Sequence, residues 1–365
     1  MAVGEQQVTG GAAAGNVVRL ARIRSLFPFS AVIVPWFLSR VISITVLLVA
    51  VRDPARGSRF SQVSQLWDGT YYLDIGRHGY GDVAPLVGFP KWPFFPGLPA
   101  LIRVLGELGS DEALVFVVNQ LMFLVALAGL YRLARRHAGD RGAALTVWAL
   151  AFFPASFVFS MTYPSALFLA ASVWAFTFVE DRVDLGAGVL AAGAAIVRPN
   201  GIVVAIALVC AVRSWRRALI VAGPAVAVIA VWCWYCYDRT GDAFVFLTTK
   251  ARWEEISAAG LFQGDAKLSV LPHGLLAIAA IAVVVLQRRR LPGAWIVLTA
   301  LSLLPSLITG MVGLARYSNE CFPPFVAAGQ VLERWSTRAQ WAALALSTFG
   351  MVVFAFIVGR YSLVP

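Results

Sequence analysis

Residues 66–80 read LWDGTYYLDIGRHGY, and after a short gap residues 89–99 read FPKWPFFPGLP. Together they are the polar, irregular part of a segment that separates two long apolar runs, Ala31 to Val51 and Glu112 to Tyr131. Apolar runs of this length are what a helix needs to cross a bilayer. The stretch between them is therefore a loop held at a membrane surface. Asp68 sits near its beginning under the bulky Trp67, where a carboxylate meets a substrate that is itself half lipid. An ordinary solvated loop acid is the plain alternative, and the rest of the chain decides between the two.

Composition sets the class. Of 365 residues, 59% are hydrophobic and 13% charged, against roughly a quarter charged in a soluble domain; mean hydropathy is +0.77. The chain reads as an all-α polytopic membrane protein. Its formal charge of +11 lies in short arginine clusters between apolar runs, which argues for membrane topology and against nucleic acid as a partner. Cys233-Trp-Tyr-Cys236 has the spacing of a redox or metal pair, but it falls in an apolar span without a second pair and reads as packing.

Residues 1–24 read as a disordered cytoplasmic tail, and residues 25–360 as a single transmembrane domain. Eleven crossings are expected: Ala31 to Val51, Glu112 to Tyr131, Ala143 to Phe159, Tyr163 to Val179, Leu185 to Val197, Gly201 to Val212, Leu219 to Tyr235, Gly274 to Leu286, Trp295 to Val312, Phe322 to Leu332 and Trp341 to Val358. With the amino end inside, the arginines at 19–24, 132–141, 213–217, 288–290 and 334–338 all fall in the cytoplasm, as the positive-inside rule requires. Two external loops follow, 52–111 and 237–272, and the first is expected to carry interfacial helices around Tyr71 to Ile75 and Leu98 to Leu108. The short spans broken by Arg198-Pro199-Asn200 are allowed where they line a cavity. On this topology Asp68, Lys91, the bend at Phe153 to Ser156, Tyr163, Arg198 to Gly201 and Arg316-Tyr317 share the external side. Ionisable groups near a membrane are expensive and gather at functional interiors.

At these residues the chain resembles a known family. Trp67-Asp68-Gly69 with Tyr72, Gly79-Tyr80 and Phe94-Phe95-Pro96 is similar to the first-loop signature of the PIG-V-type mannosyltransferases of glycosylphosphatidylinositol anchor assembly and their bacterial relatives. FPASFVFSMTYPSALF at 153–168, RPNG at 198–201 and ARYSNECFPPF at 315–325 resemble that family in order and spacing. The resemblance implies a GT-C type glycosyltransferase fold and a sugar, mannose, taken from a polyprenyl-phosphate carrier. Its acidic first-loop residue matches Asp68. Ser165 departs from the pattern, since relatives often have an acid there.

The chemistry is also legible without the family. A lipid-phosphate sugar brings its own leaving group, and no glycine-rich nucleotide loop follows a strand. Transfer then needs a base for the incoming hydroxyl and cations for the departing phosphate. Asp68 is the candidate base; Arg316, Arg198 and Lys91 are the candidate phosphate contacts. Trp67, Tyr72, Tyr163, Asn200 and Tyr317 are candidate substrate contacts, with interface anchoring as the plain alternative for the tyrosines. Asp74 reads as a cap or a partner of Arg77, and His78 as a weak acid or base. No cofactor is called for, and three scattered histidines form no metal set. The acceptor is an extracytoplasmic glycolipid, glycan or protein hydroxyl, with membrane lipids around it. A transporter or flippase for an anionic or glycosylated lipid is the alternative function. Such a protein would gate toward both membrane sides and would show repeats that are not evident here.

Overall fold

The computed structural model describes residues 29–53, 55, 57–81, 90–250, 266–309 and 313–360. The expected tail at 1–24 lies outside the described residues, as do parts of both expected external loops. No strand occurs among the described residues, and the chain is an all-α, multi-pass membrane protein. Among the described residues four helices are long and apolar enough to cross a membrane: α1 (Phe29–Ala50), α5 (Asp111–Ala151), α9 (Trp215–Thr240) and α14 (Thr337–Gly359).

Among the described residues four such spans stand against the eleven expected, and for the helices between residues 165 and 211 the reason is length. A helix needs about 20 apolar residues to cross the hydrocarbon core, whereas the apolar helices α6 (Ser165–Glu180), α7 (Asp184–Val197) and α8 (Gly201–Ala211) have 16, 14 and 11. α10 (Ala266–Leu286) and α11 (Gly293–Thr309) are longer, at 21 and 17 residues. The runs expected at 112–131 and 143–159 are largely one element. α5 continues through them and breaks only at Gly139, whose φ of 65° is open to glycine and rare for other residues. The run expected at 322–332 is a ten-residue helix, α13 (Pro323–Leu332).

Short apolar helices are stable here because protein covers one face of each. α5 is the hub, packed by α1, α6 and α13; α6 and α9 in turn hold α7, whose Ala187, Gly188, Ala191, Ala194 and Ala195 are buried. Small residues let backbones approach closely, which is the main source of helix adhesion in lipid. The first loop carries three short helices, α2 (Arg59–Ser64), α3 (Asp68–His78) and α4 (Gly97–Gly106), with α3 packed against α4.

One irregular segment lies inside the bundle. After Phe152 the chain makes a 3-10 helix, Ser156–Ser160, and then an extended step to Tyr163, all buried from Ala155 onward. Backbone carbonyls at such depth need donors. Arg40 of α1 donates to the Ser156 carbonyl and the Ser160 hydroxyl, each at 2.9 Å, and to the Ser156 hydroxyl at 2.7 Å. Asn319 donates to the Ala155 carbonyl at 3.2 Å, Gln120 to Phe159 at 3.2 Å and Asn119 to Met161 at 2.8 Å. Four side chains thus fix the backbone that delivers Tyr163.

Candidate active site

Asp68 opens α3, and its neighbours leave it little freedom. Trp67, the preceding residue, has φ 51°, an uncommon conformation for a residue with a side chain. Its indole N–H donates to the Val358 carbonyl at 3.2 Å, and its ring packs on the buried cluster around Leu47 and Val358. Anchoring of this kind holds a strained backbone in place. On the other side, a Cβ at Gly69 would lie 2.4 Å from the Ser64 carbonyl oxygen, so the first turn of α3 sits hard against the end of α2. The Asp68 backbone N–H donates to the Tyr163 hydroxyl at 3.0 Å.

Opposite Asp68 lies Arg316, on α12 (Leu314–Glu320). Its Nη1 donates to Asp68 Oδ2 at 2.7 Å, across 248 residues of chain. The guanidinium stands over the Tyr163 ring at 5.1 Å and the Tyr317 ring at 5.5 Å, and Arg198 stands over the other side of the same cluster, 5.4 Å from Tyr317. Cation–π contact stabilises a charge that has left water. Arg198 is ion-paired with Glu320, and both side chains are buried. Two cations and two carboxylates therefore share one cluster, which keeps the partly desolvated charges compensated. Two polar atoms in it have no hydrogen-bond partner among the described residues: Arg316 Nε and Glu320 Oε1. Burial alone would push the Tyr317 phenol up; Arg316, Lys250 and Arg198 outweigh it and bring that phenol below its ordinary value. The Tyr317 hydroxyl thus marks a point of positive potential.

The other residues singled out from the sequence divide. Tyr72 is buried beside the site, its ring 6.4 Å from Tyr163 and 5.1 Å from Phe94. Lys91 stands apart: it is ion-paired with Asp74, six residues along α3 from Asp68 and about 9 Å at the helical rise. Asp74 also meets His78 at 2.7 Å, while Arg77 goes to Asp111 at 2.7 Å and Glu112 at 3.1 Å, so the expected Asp74–Arg77 pairing is replaced. Partial burial raises the Asp74 carboxyl, but the hydrogen bonds from Lys91 and His78 outweigh burial and hold it below the usual carboxylate value. Asn200 precedes α8 without a capping hydrogen bond from its side chain. Ser165 is buried, with its hydroxyl unpartnered among the described residues.

Glu320 and Lys250 belong to the cluster and were not singled out from the sequence. For Glu320 a signal existed, because it follows Arg316 by four residues and that spacing on a helix puts both on one face. Lys250 carries no such signal. It is exposed, and its charge acts on Tyr317 only because the fold brings the two segments near each other.

A protein-family model described as dolichyl-phosphate-mannose-protein mannosyltransferase matches residues 91–234, less than half of the chain. Among solved structures, the apo oligosaccharyltransferase of Archaeoglobus fulgidus is similar over 91% of this chain with a TM-score of 0.50 and 13% identity. The fold is GT-C-like. A second structure, archaeal oligosaccharyltransferase AglB from the same organism with an inhibitory peptide and a dolichol-phosphate, is similar at a TM-score of 0.49 and 11% identity over 91% of the chain. This chain covers 56% of each of those chains, so it spans about half the length of the solved proteins it matches. Comparison with curated proteins finds no match. In this GT-C-like frame Lys91, Tyr163 and Arg198 fall inside the family-matched region, and Asp68 and Arg316 flank it.

Proposed function

We propose that the protein is a membrane glycosyltransferase that moves a sugar, mannose by preference, from a polyprenyl-phosphate donor to an acceptor outside the cytoplasm. The observation that carries this reading is the Arg316–Asp68 pair at 2.7 Å, flanked by Arg198 and Tyr317. An arriving donor phosphate competes with Asp68 for the Arg316 guanidinium, whose planar donors suit phosphate oxygens. The Asp68 carboxylate, so released, takes the proton of the acceptor hydroxyl. That hydroxyl attacks the sugar carbon, and the bond to the phosphate breaks with its electron pair leaving on the phosphate oxygen. A single displacement of this kind inverts the anomeric centre. Preference for mannose rests on the resemblance to PIG-V-type enzymes and on the description of the matching family model. An apolar groove of about 510 Å³ beside α3, lined among others by Tyr80, Pro99 and Trp232, offers a bed for the prenyl chain.

The test is reconstituted protein offered a prenyl-phosphate mannose and, separately, a nucleotide mannose, with the linkage of the product determined. Transfer from the prenyl phosphate with inversion is the expected result. Transfer from the nucleotide sugar alone defeats the donor assignment, and a retained anomeric configuration defeats the single displacement. Arg316→Ala is expected to impair donor use more than acceptor binding, with Arg316→Lys recovering only part because the planar fork is lost.

A further inference from the structure

The helices that leave the Asp68–Arg316 cluster meet a second polar cavity at their far ends. α6 begins two residues after Tyr163 and ends at Glu180; its 16 residues, at about 1.5 Å each, put Glu180 about 24 Å away. α8 begins beside Arg198 and ends at Ala211, and Gly293, the first residue of α11, joins them. Between these ends lies a cavity of about 950 Å³, with Phe176, Val179 and Trp295 as an apolar floor and arginines at the rim.

Charge at that rim is unbalanced. Asp181 is held by Arg132 at 2.9 Å and Arg136 at 2.5 Å, Glu180 by Arg136 at 3.1 Å and His137 at 2.9 Å, and Asp184 by Arg217 at 2.6 Å. These three carboxylates are thereby engaged. Arg182 and Arg213 also line the cavity, and neither forms an ion pair within 4.0 Å among the described residues, although Arg182 lies close enough to act on Asp184. Arg182 has φ 61°, rare for a residue with a side chain, in the tight link between α6 and α7. On α8, Ile206 and Val209 are 43% and 38% exposed, so an outward apolar surface adjoins the rim.

We propose that this cavity binds the headgroup of an anionic phospholipid, with Arg182 and Arg213 on the phosphate and the floor of Phe176, Val179 and Trp295 under the start of the acyl chains. Two uncompensated guanidiniums supply the charge-assisted donors a phosphate accepts. Basic pockets between membrane helices are where anionic headgroups settle, and the neighbouring apolar surface lets the chains stay in lipid. A lipid fits both halves of the lining, whereas a free phosphate fits only the rim.

The test uses the full chain in phosphatidylcholine nanodiscs with and without phosphatidylglycerol, reading lipid retention by native mass spectrometry and the thermal unfolding midpoint. Phosphatidylglycerol is expected to be retained and to raise the midpoint. In Arg182→Gln/Arg213→Gln its apparent affinity falls about thirtyfold, from two charges near an anionic surface, with the midpoint in pure phosphatidylcholine unchanged. The control Arg338→Gln, at the start of α14, leaves retention as it was. Undiminished retention in the double variant, or an equal loss in the control, overturns the site. An equal midpoint rise with inorganic phosphate that the double variant abolishes overturns the lipid assignment, and retention of a prenyl monophosphate that exceeds that of phosphatidylglycerol and is lost in the double variant overturns the phospholipid, since binding at the Asp68–Arg316 cluster survives those substitutions. Because the readout is lipid binding, the outcome stands apart from whether sugar transfer is found.

Discussion

At the residue scale, Asp68 carries two demands that a surface carboxylate does not. It neutralises Arg316 at 2.7 Å, and its backbone N–H is fixed to Tyr163 at 3.0 Å. Asp68→Asn keeps the shape and removes the base, so transfer is expected to fall by about 10² to 10⁴ while donor binding and insertion persist; single-turnover kinetics on reconstituted protein checks this. Glu320 is the complementary case. Glu320→Gln leaves Arg198 and Arg316 facing one carboxylate in place of two, so the donor KM should fall. Stability should drop by about 3 kcal/mol, because a buried cation has lost its charge partner. Kinetics and thermal unfolding read the two effects separately. Asp68 and Arg316 stand out in the sequence because each follows or precedes an apolar run among aromatic residues. Lys250 does not stand out, since nothing local marks a lysine that the fold brings within electrostatic reach of Tyr317.

At the scale of elements, the cluster depends on two pieces of backbone that are not regular. The first is the turn into α3. Gly69→Ala puts a methyl 2.4 Å from the Ser64 carbonyl oxygen, an atom that belongs to backbone and cannot rotate away. The variant is expected to lose about 1 to 3 kcal/mol of stability and to lower kcat more than donor affinity, because Asp68 is carried with the displaced turn. The second piece is the 3-10 segment. Arg40 makes three hydrogen bonds to Ser156 and Ser160 and stands 4.5 Å over the Phe123 ring. Arg40→Met leaves the Ser156 carbonyl without that donor inside the bundle, at about 1 to 3 kcal/mol for an unsatisfied group, and should shift the unfolding midpoint down while Arg40→Lys restores part of it. The bend itself was visible as Phe153-Pro154-Ala155-Ser156. Its partners Arg40, Asn119 and Gln120 were not, because polar residues inside apolar runs do not announce what they face.

At the scale of the whole molecule, the apolar and charged patterns are strong while the number of crossings is not, and the same physics explains both. Arginine clusters and apolar runs are local quantities, so the multi-pass class follows directly from them. A crossing requires length, and α6, α7 and α8, with 16, 14 and 11 residues, bury one face against α5 and its neighbours without meeting the length that lipid demands. Orientation nevertheless rests on the arginine links, because they bias insertion whichever short helices span fully. Arg132, Arg136, Arg213 and Arg217 gather at the far ends of α6 and α8, about 24 Å along α6 from the site helices. If that end is cytoplasmic, Asp68 and Arg316 face the outside, where lipid-phosphate sugars are present and cytosolic nucleotide sugars are not. Single cysteines at the exposed positions Glu107 and Arg141, in a background with Cys210 and Cys233 replaced by alanine, separate the two sides. A membrane-impermeant maleimide applied to intact cells is expected to label Glu107→Cys at once and Arg141→Cys only after permeabilisation. External labelling of Arg141→Cys on intact cells would place the arginine links outside, and the proposed donor and acceptor would then have no access to the Asp68–Arg316 cluster.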